Sequence, residues 1–232
     1  MNAFKKYSSA SCRKVSLFCS LILFLGLSGC TSPRVEHAIR DRPFGPGYEP
    51  ENVFSVDKLP AGFQRVLVLP PTDPEGDLLS DDLTNALLAS LRKANRFEVI
   101  PSGQAYRAIS DLSGEAPLVT RQAVSPAVLK EAQRLGAAGI LELQMTHYRP
   151  YKPLQVGLRS RLVSLADGGQ VLWEIDELFD AGQKDVAIGA RRYAETFIEQ
   201  PFPLQSSYSV LMSPLRFTGY VGKMAFETLP PQ

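Results

Sequence analysis

Few side chains in these 232 residues are equipped for covalent chemistry. The three cysteines are Cys12, Cys19 and Cys30, and the two histidines are His37 and His147. From Thr31 onward there is no thiol for a disulfide, a thiolate metal ligand or a nucleophile. His147, with no cysteine beside it, gives no basis for a triad or a metal centre and reads as a strand-edge side chain. No P-loop, G-x-S-x-G, zinc spacing or dinucleotide fingerprint occurs. Asp73, Glu75, Asp77, Asp81 and Asp82 form an acidic cluster that could receive a cation. Its plainer reading is a solvated turn ahead of a helix N-terminus, where carboxylates are favoured. Tyr148-Arg149-Pro150-Tyr151-Lys152-Pro153 mixes aromatics and cations, a composition favoured at interfaces. It marks Tyr148, Arg149, Tyr151 and Lys152 as a contact surface, the alternative being a stiff solvated connection. The remaining reactive group is the Cys30 thiol, in the run Leu27-Ser28-Gly29-Cys30.

That thiol ends a distinctive leader. Lys5, Lys6, Arg13 and Lys14 precede an apolar run from Val15 to Leu27, and the leader has no acid. The run spans 13 residues, the length of a secretory h-region and short of the ~20 a helix needs to cross a bilayer. Small Ser28 and Gly29 leave the backbone open to a peptidase. Leu27-Ser28-Gly29-Cys30 resembles the lipobox of bacterial lipoproteins. The resemblance implies removal of residues 1–29 by cleavage between Gly29 and Cys30, with lipid then carried on Cys30 as the new first residue. Membrane lipid is then the first partner, since two or more acyl chains make a stable anchor. By the sorting pattern of such lipoproteins, Thr31 implies the outer membrane, with the domain facing the periplasm.

Composition narrows the rest. Removing the leader's four cations from 25 basic residues leaves 21 against 24 acidic, a net charge of −3 with histidine neutral. That is no electrostatic footprint for nucleic acid. Residues 30–62 read as a lipidated cysteine and a tether: Pro33, Pro43, Pro46, Pro50 and Pro60 alternate with Gly45, Gly47 and Gly62, and apolar residues follow no period. The alternative for its end is that Val53, Phe54 and Val56 pack on the domain as an extra strand. Residues 63–232 suffice for one domain.

The elements of that domain are legible from period and punctuation. Arg65-Val66-Leu67-Val68-Leu69-Pro70 reads as a strand buried on both faces. Ser80 caps a helix bearing Leu83, Leu87 and Leu91 that ends near Asn95. Phe97–Ile100 is a second strand, and Ser102 starts a short helix through Ile109. A loop over 111–124 leads to a helix opened by Ser125 and Pro126 and closed by Gly136. Leu141–His147, Leu154–Leu165 and Val171–Phe179 alternate as an antiparallel meander. A two-residue Gly168-Gly169 turn would set Leu162 opposite Ile175 and Arg161 opposite Asp176. Helices near Val186–Glu199 and after Ser213-Pro214 complete the chain. The expected fold is α/β (α+β): a mixed sheet of about five strands with a C-terminal antiparallel meander, flanked by helices.

Several of these stretches are similar to one family. Arg65–Pro70, Leu78–Ile100, Leu135–Leu143 and Val156–Trp173 resemble the superfamily of the curli-secretion channel lipoprotein CsgG, the penicillin-binding-protein activator LpoB and the exopolysaccharide-export lipoprotein PelC. The resemblance covers about half the chain, residues 64–180. It implies an envelope lipoprotein that binds or scaffolds a peptidoglycan-synthesis or secretion assembly, through a protein partner or by self-oligomerisation, with no cofactor and no catalysis. The alternatives are a curli-type channel subunit and a carboxylate-dependent hydrolase. His147–Pro153 is too short to supply the ~9–11-residue strands of a membrane hairpin.

Overall fold

A computed structural model describes residues 45–102, 126–166, 169–198 and 207–232. The cleavage and lipidation site at Gly29 and Cys30, the helix expected from Ser102 through Ile109, the loop over 111–124 and the capping Ser125 lie outside the described residues.

Six strands form one mixed sheet. They are β1 (Val53–Ser55), β2 (Arg65–Val68), β3 (Glu98–Pro101), β4 (Gly139–Arg149), β5 (Gln155–Ser164) and β6 (Val171–Asp180), in the order β1-β6-β5-β4-β2-β3. Strand β2 runs parallel to β3 and β4, and the other pairs are antiparallel. The sixth strand is the N-terminal β1, on the outer edge of β6. The stretch before Phe63 therefore joins the sheet, the second of its two sequence readings. Leu59 is also buried, and its N–H donates to the Pro231 carbonyl at 2.8 Å.

The apolar run in β2 is explained by what lies on each side. Val66 and Val68 face the main core, while Leu67 and Leu69 face a smaller cluster with Val128, Ala132 and Ile140. Helix α2 (Pro126–Arg134) supplies Val128 and Ala132 to that smaller cluster. The main core packs α1 (Asp81–Ala94), α3 (Lys184–Phe197) and α4 (Pro214–Glu227) on the opposite face of the sheet. Asn95 closes α1 in the left-handed conformation, φ 52°. Ser213 caps α4, its Oγ accepting from Arg216 N at 3.4 Å, with Pro214 at the first helical position. Ser80 occupies the cap position of α1 without a side-chain hydrogen bond. Gly219 and Gly222 let α4 approach α1: Ser90 Oγ donates to the Gly219 carbonyl at 3.0 Å, and a Cβ on Gly222 would sit 2.9 Å from that of Ser90.

The meander is present, with a register different from the one the turn predicts. Leu162 lies opposite Trp173, Arg161 opposite Glu174 and Arg159 opposite Asp176. The expected Arg161–Asp176 and Leu162–Ile175 pairings are displaced by two residues. The displacement starts at the turn, which closes earlier: Ser164 N donates to the Gln170 carbonyl at 2.8 Å. Leu165 N, the next along the strand, points to the other side and donates to the Ala138 carbonyl at 2.9 Å. An irregularity between Leu162 and Val163 absorbs the odd residue, Leu172. Because strand faces repeat every second residue, the two-residue shift leaves core and solvent faces unchanged while it re-pairs apolar and charged residues alike.

Candidate functional site

The β4–β5 hairpin carries the residues marked from sequence as a contact surface. Its last pair is Arg149 with Gln155, leaving Pro150–Leu154 as the tip. A bulge between Met145 and His147 interrupts β4, and Gly157 faces it. A Cβ there would lie 2.5 Å from Thr146 Oγ1, so only glycine fits. The extra residue inverts the alternation beyond it. Leu141, Leu143 and Met145 face the main core, and after the bulge so does Tyr148. Burial raises the pKa of the Tyr148 phenol. The four marked residues are thus divided. Tyr148 is a half-buried wedge, while Tyr151 is 66% exposed and Lys152 is exposed beside it. Arg149 ties the tip together: its guanidinium lies 4.9 Å from the Tyr151 ring centroid, and Nη2 donates to the Lys152 carbonyl at 3.4 Å.

Next to the tip, His147 projects on the solvent side. Its Nε2 meets Gln155 Oε1 at 3.1 Å, and Gln155 Nε2 donates to Asp180 Oδ2 at 2.9 Å. Asp180 Oδ1 accepts from Gly182 N at 2.7 Å. An amide stands between imidazole and carboxylate, and an amide is not a proton carrier near neutral pH. The trio holds the strand ends together; it is no acid–base pair.

Further along the same sheet face, cross-strand rows alternate in sign. Glu142, Arg161 and Glu174 lie opposite one another across β4, β5 and β6. Arg161 Nη2 pairs with Glu142 Oε2 at 3.1 Å. Arg159 clasps Asp176 Oδ2 through Nε at 2.8 Å and Nη2 at 2.5 Å. Burial pushes the Glu142 carboxyl up, and the charge and hydrogen bond of Arg161 pull against that shift. Two-carboxylate glycoside hydrolysis needs the acid and its partner to flank an open space that admits the sugar and, for inversion, a water. Here the register sets Arg161 between the two acids, and its guanidinium pairs with Glu142. Asp73 is also absorbed structurally: its Oδ1 accepts from Glu75 N at 3.0 Å and Asp77 N at 2.8 Å, closing the turn before α1. Among the described residues no group of three or more His, Cys, Asp or Glu is placed to hold a metal ion.

One constellation has no sequence motif. Glu177 sits in β6 on the parity of Trp173, Ile175 and Phe179. Its Oε2 accepts from Glu51 N at 2.9 Å and Asn52 N at 3.0 Å, and Tyr48 hydrogen-bonds to it through the hydroxyl. The Tyr48 ring packs edge-on against Phe179 at 5.5 Å. Burial, then the Glu177 contact, raises the Tyr48 phenol. For Glu177 burial acts upward, but the hydrogen bonds from Asn52, Tyr48 and Glu51 outweigh it and hold the carboxyl below its usual range. Residues 45–52 are thereby strapped to the fold. The sequence signal is a single glutamate on an otherwise apolar strand face.

No protein-family model matches the chain, and no curated protein does. Among solved structures it is similar to the PelC dodecamer from Paraburkholderia phytofirmans, at 13% identity and a TM-score of 0.44, covering 78% of this chain and 96% of that one. It is also similar to lipoprotein GNA1162 from Neisseria meningitidis, at 22% identity and 0.36, covering 52% and 85%. The LpoB C-terminal domain from Salmonella enterica matches at 18% identity and 0.35, covering 50% and 82%. The functional reading rests on the chain's own residues.

Proposed function

We propose that this chain is a non-catalytic lipoprotein of the bacterial cell envelope, whose globular domain binds or scaffolds an envelope assembly. The observation that carries the reading is Leu27-Ser28-Gly29-Cys30 at the end of a basic, then apolar leader. Cys30 takes the lipid, Thr31 favours the outer membrane, and residues 31–44 join the anchor to the domain. Support from the structure is of two kinds. The chain leading from that cysteine is fastened to the domain by backbone pairing in β1 and by Glu177, so a pull on the anchor reaches the sheet. On the solvent face of the sheet Arg159 pairs with Asp176 and Arg161 with Glu142, which suits a surface that touches other molecules.

The curli-type channel subunit is the second reading, favoured only by the resemblance in sequence. The β4–β5 connection is five residues, Pro150–Leu154, too short to hold a further pair of ~9–11-residue membrane strands, and β4 and β5 themselves pack one face on the main core. No helix among the described residues is long and apolar enough to cross a membrane.

Mass spectrometry of the mature N-terminus tests the anchor: an acylated Cys30 is expected, and Cys30→Ser is expected to move the protein from the membrane to the soluble fraction. An intact, unmodified leader on the native protein would overturn it. Cross-linking and affinity purification from envelope extracts is expected to recover a specific partner or a self-oligomer; turnover of a substrate by the purified domain would refute the non-catalytic role.

A further inference from the structure

We propose that the β4–β5 tip is a bilayer-docking surface, with Tyr151 and Lys152 entering the headgroup layer of the membrane to which the chain is tethered. The inference deepens the lipoprotein reading and rests on it.

Three observations converge. The first is topological. The tip lies at the end of the sheet where β6 finishes, since Arg149, Gln155 and Asp180 form one cross-strand row. A Cβ on Gly182 would lie 3.5 Å from Pro153 of the tip. The described chain begins at this same end: Tyr48 packs on Phe179, and the Gly45 carbonyl accepts from Arg192 Nη2 on α3. The tether and the tip therefore share one end of the domain.

The second is length. Fourteen residues, 31–44, separate Cys30 from Gly45. Even fully extended, at ~3.5 Å per residue, that length reaches no more than ~50 Å. A lipid on Cys30 would keep Gly45, and the tip at the same end, within that reach of the bilayer. A weak contact suffices there, because tethering makes the second contact intramolecular.

The third is chemistry. Tyr151 presents an amphipathic ring, 66% exposed, of the kind that settles at headgroup level. Arg149 and Lys152 flank it, with Lys184 exposed on the first turn of α3. Such cations are drawn to anionic headgroups. The acids of this end are Asp180, whose carboxylate is occupied by Gln155 and Gly182, Glu177, which is held by the strap, and exposed Glu49, Glu51 and Asp185. The tip is bounded by Pro150 and Pro153, and Arg149 links Tyr151 and Lys152. An exposed aromatic and cationic hairpin tip suits a lipid surface, whereas a partner's helix or strand would need a groove or a free edge.

The test uses the full lipidated protein in vesicles of phosphatidylethanolamine and phosphatidylglycerol. After leader removal Cys30 is the sole cysteine and is acylated, so Pro150→Cys or Lys93→Cys introduces a unique site for an environment-sensitive fluorophore. Lys93 is exposed near the opposite end, where α1 gives way to β3. The label at 150 is expected to be quenched by brominated lipid and shielded several-fold from aqueous iodide relative to the label at 93. Adding Tyr151→Ser and Lys152→Gln is expected to abolish both effects while the protein stays anchored. A vesicle-bound protein whose two labels are equally open to iodide would overturn the proposal. Shielding without lipid quenching would overturn it too, by showing that protein covers the tip. A protein that does not float with vesicles, with an unmodified N-terminus, would remove the lipoprotein reading itself and this inference with it.

Discussion

Glu177 shows how much one side chain can decide. It occupies a position that strand alternation reserves for the core, and instead of packing it accepts two backbone N–H groups and a phenol from the strap. Its carboxyl is depressed in the folded protein. A depressed acid stabilises above its unfolded pKa, ~4.3 for glutamate, and that stabilisation is lost as pH falls through the lower folded value. The strap is therefore expected to be held at pH 6 and to loosen below about pH 4. Amide exchange at Glu51 and Asn52, compared at those two values against amides in β5, checks this. Glu177→Gln keeps the shape, removes the charge and is expected to cost ~1 kcal/mol, the lower end for charge-assisted bonds because the site is partly exposed. Denaturant titration measures it; a variant as stable as the parent, with unchanged exchange at Glu51, would sink the assignment.

Elements were easier to read than the contacts between them. The continuous run in β2, the alternation in β4 to β6, the αL asparagine after α1 and Ser213-Pro214 at α4 are local signals, set by backbone conformation and residue type. The two serine caps looked alike in sequence and differ in the fold. Ser213 Oγ accepts from Arg216 N, whereas Ser80 makes no side-chain bond. Ser213→Ala is expected to cost ~0.5–1 kcal/mol, low in the range for caps because the bond is long, and Ser80→Ala close to nothing. Thermal or denaturant unfolding of the two variants side by side separates them; an equal loss would mean that both hydroxyls cap in solution. The turn before β6 illustrates the opposite case. Two glycines pointed to a two-residue hairpin, but Ser164 N closes on the Gln170 carbonyl and Leu172 is left over at the irregularity beside Leu162. No local pattern contains that offset.

At the scale of the whole molecule, the strap, the sheet and α4 meet at Phe179. It is fully buried, with the Tyr48 ring at 5.5 Å and the Tyr220 ring at 6.3 Å, both edge-on. Phe179→Ala is expected to cost ~3–5 kcal/mol, the usual figure for emptying a phenylalanine site. It is also expected to free the strap, since Tyr48 loses its seat. The protein's one tryptophan, Trp173, is buried under α4, with Nε1 donating to Thr228 Oγ1 at 2.9 Å. Its fluorescence reports unfolding of the core, while proteolysis near Gly45 reports the strap. If the strap resisted proteolysis in Phe179→Ala as it does in the parent, the coupling would be refuted.

The amino-acid sequence by itself determined the mixed fold class, the positions of β2 to β6 and of α1 to α4, and the face each strand turns inward, and it alone carries the proposal of a leader ending at Cys30. Those follow from short-range rules: the length of an apolar run, the period of two or 3.6, and the caps that end a helix. Tertiary structure alone decided the pairing of Arg159 with Asp176 and of Arg161 with Glu142, the inward turn of Tyr148 at the bulge, and the docking of Tyr48 on Glu177 and Phe179. These depend on hydrogen-bond competition and steric fit between residues far apart in the chain, where a shift of two positions leaves every local pattern intact and changes every partner.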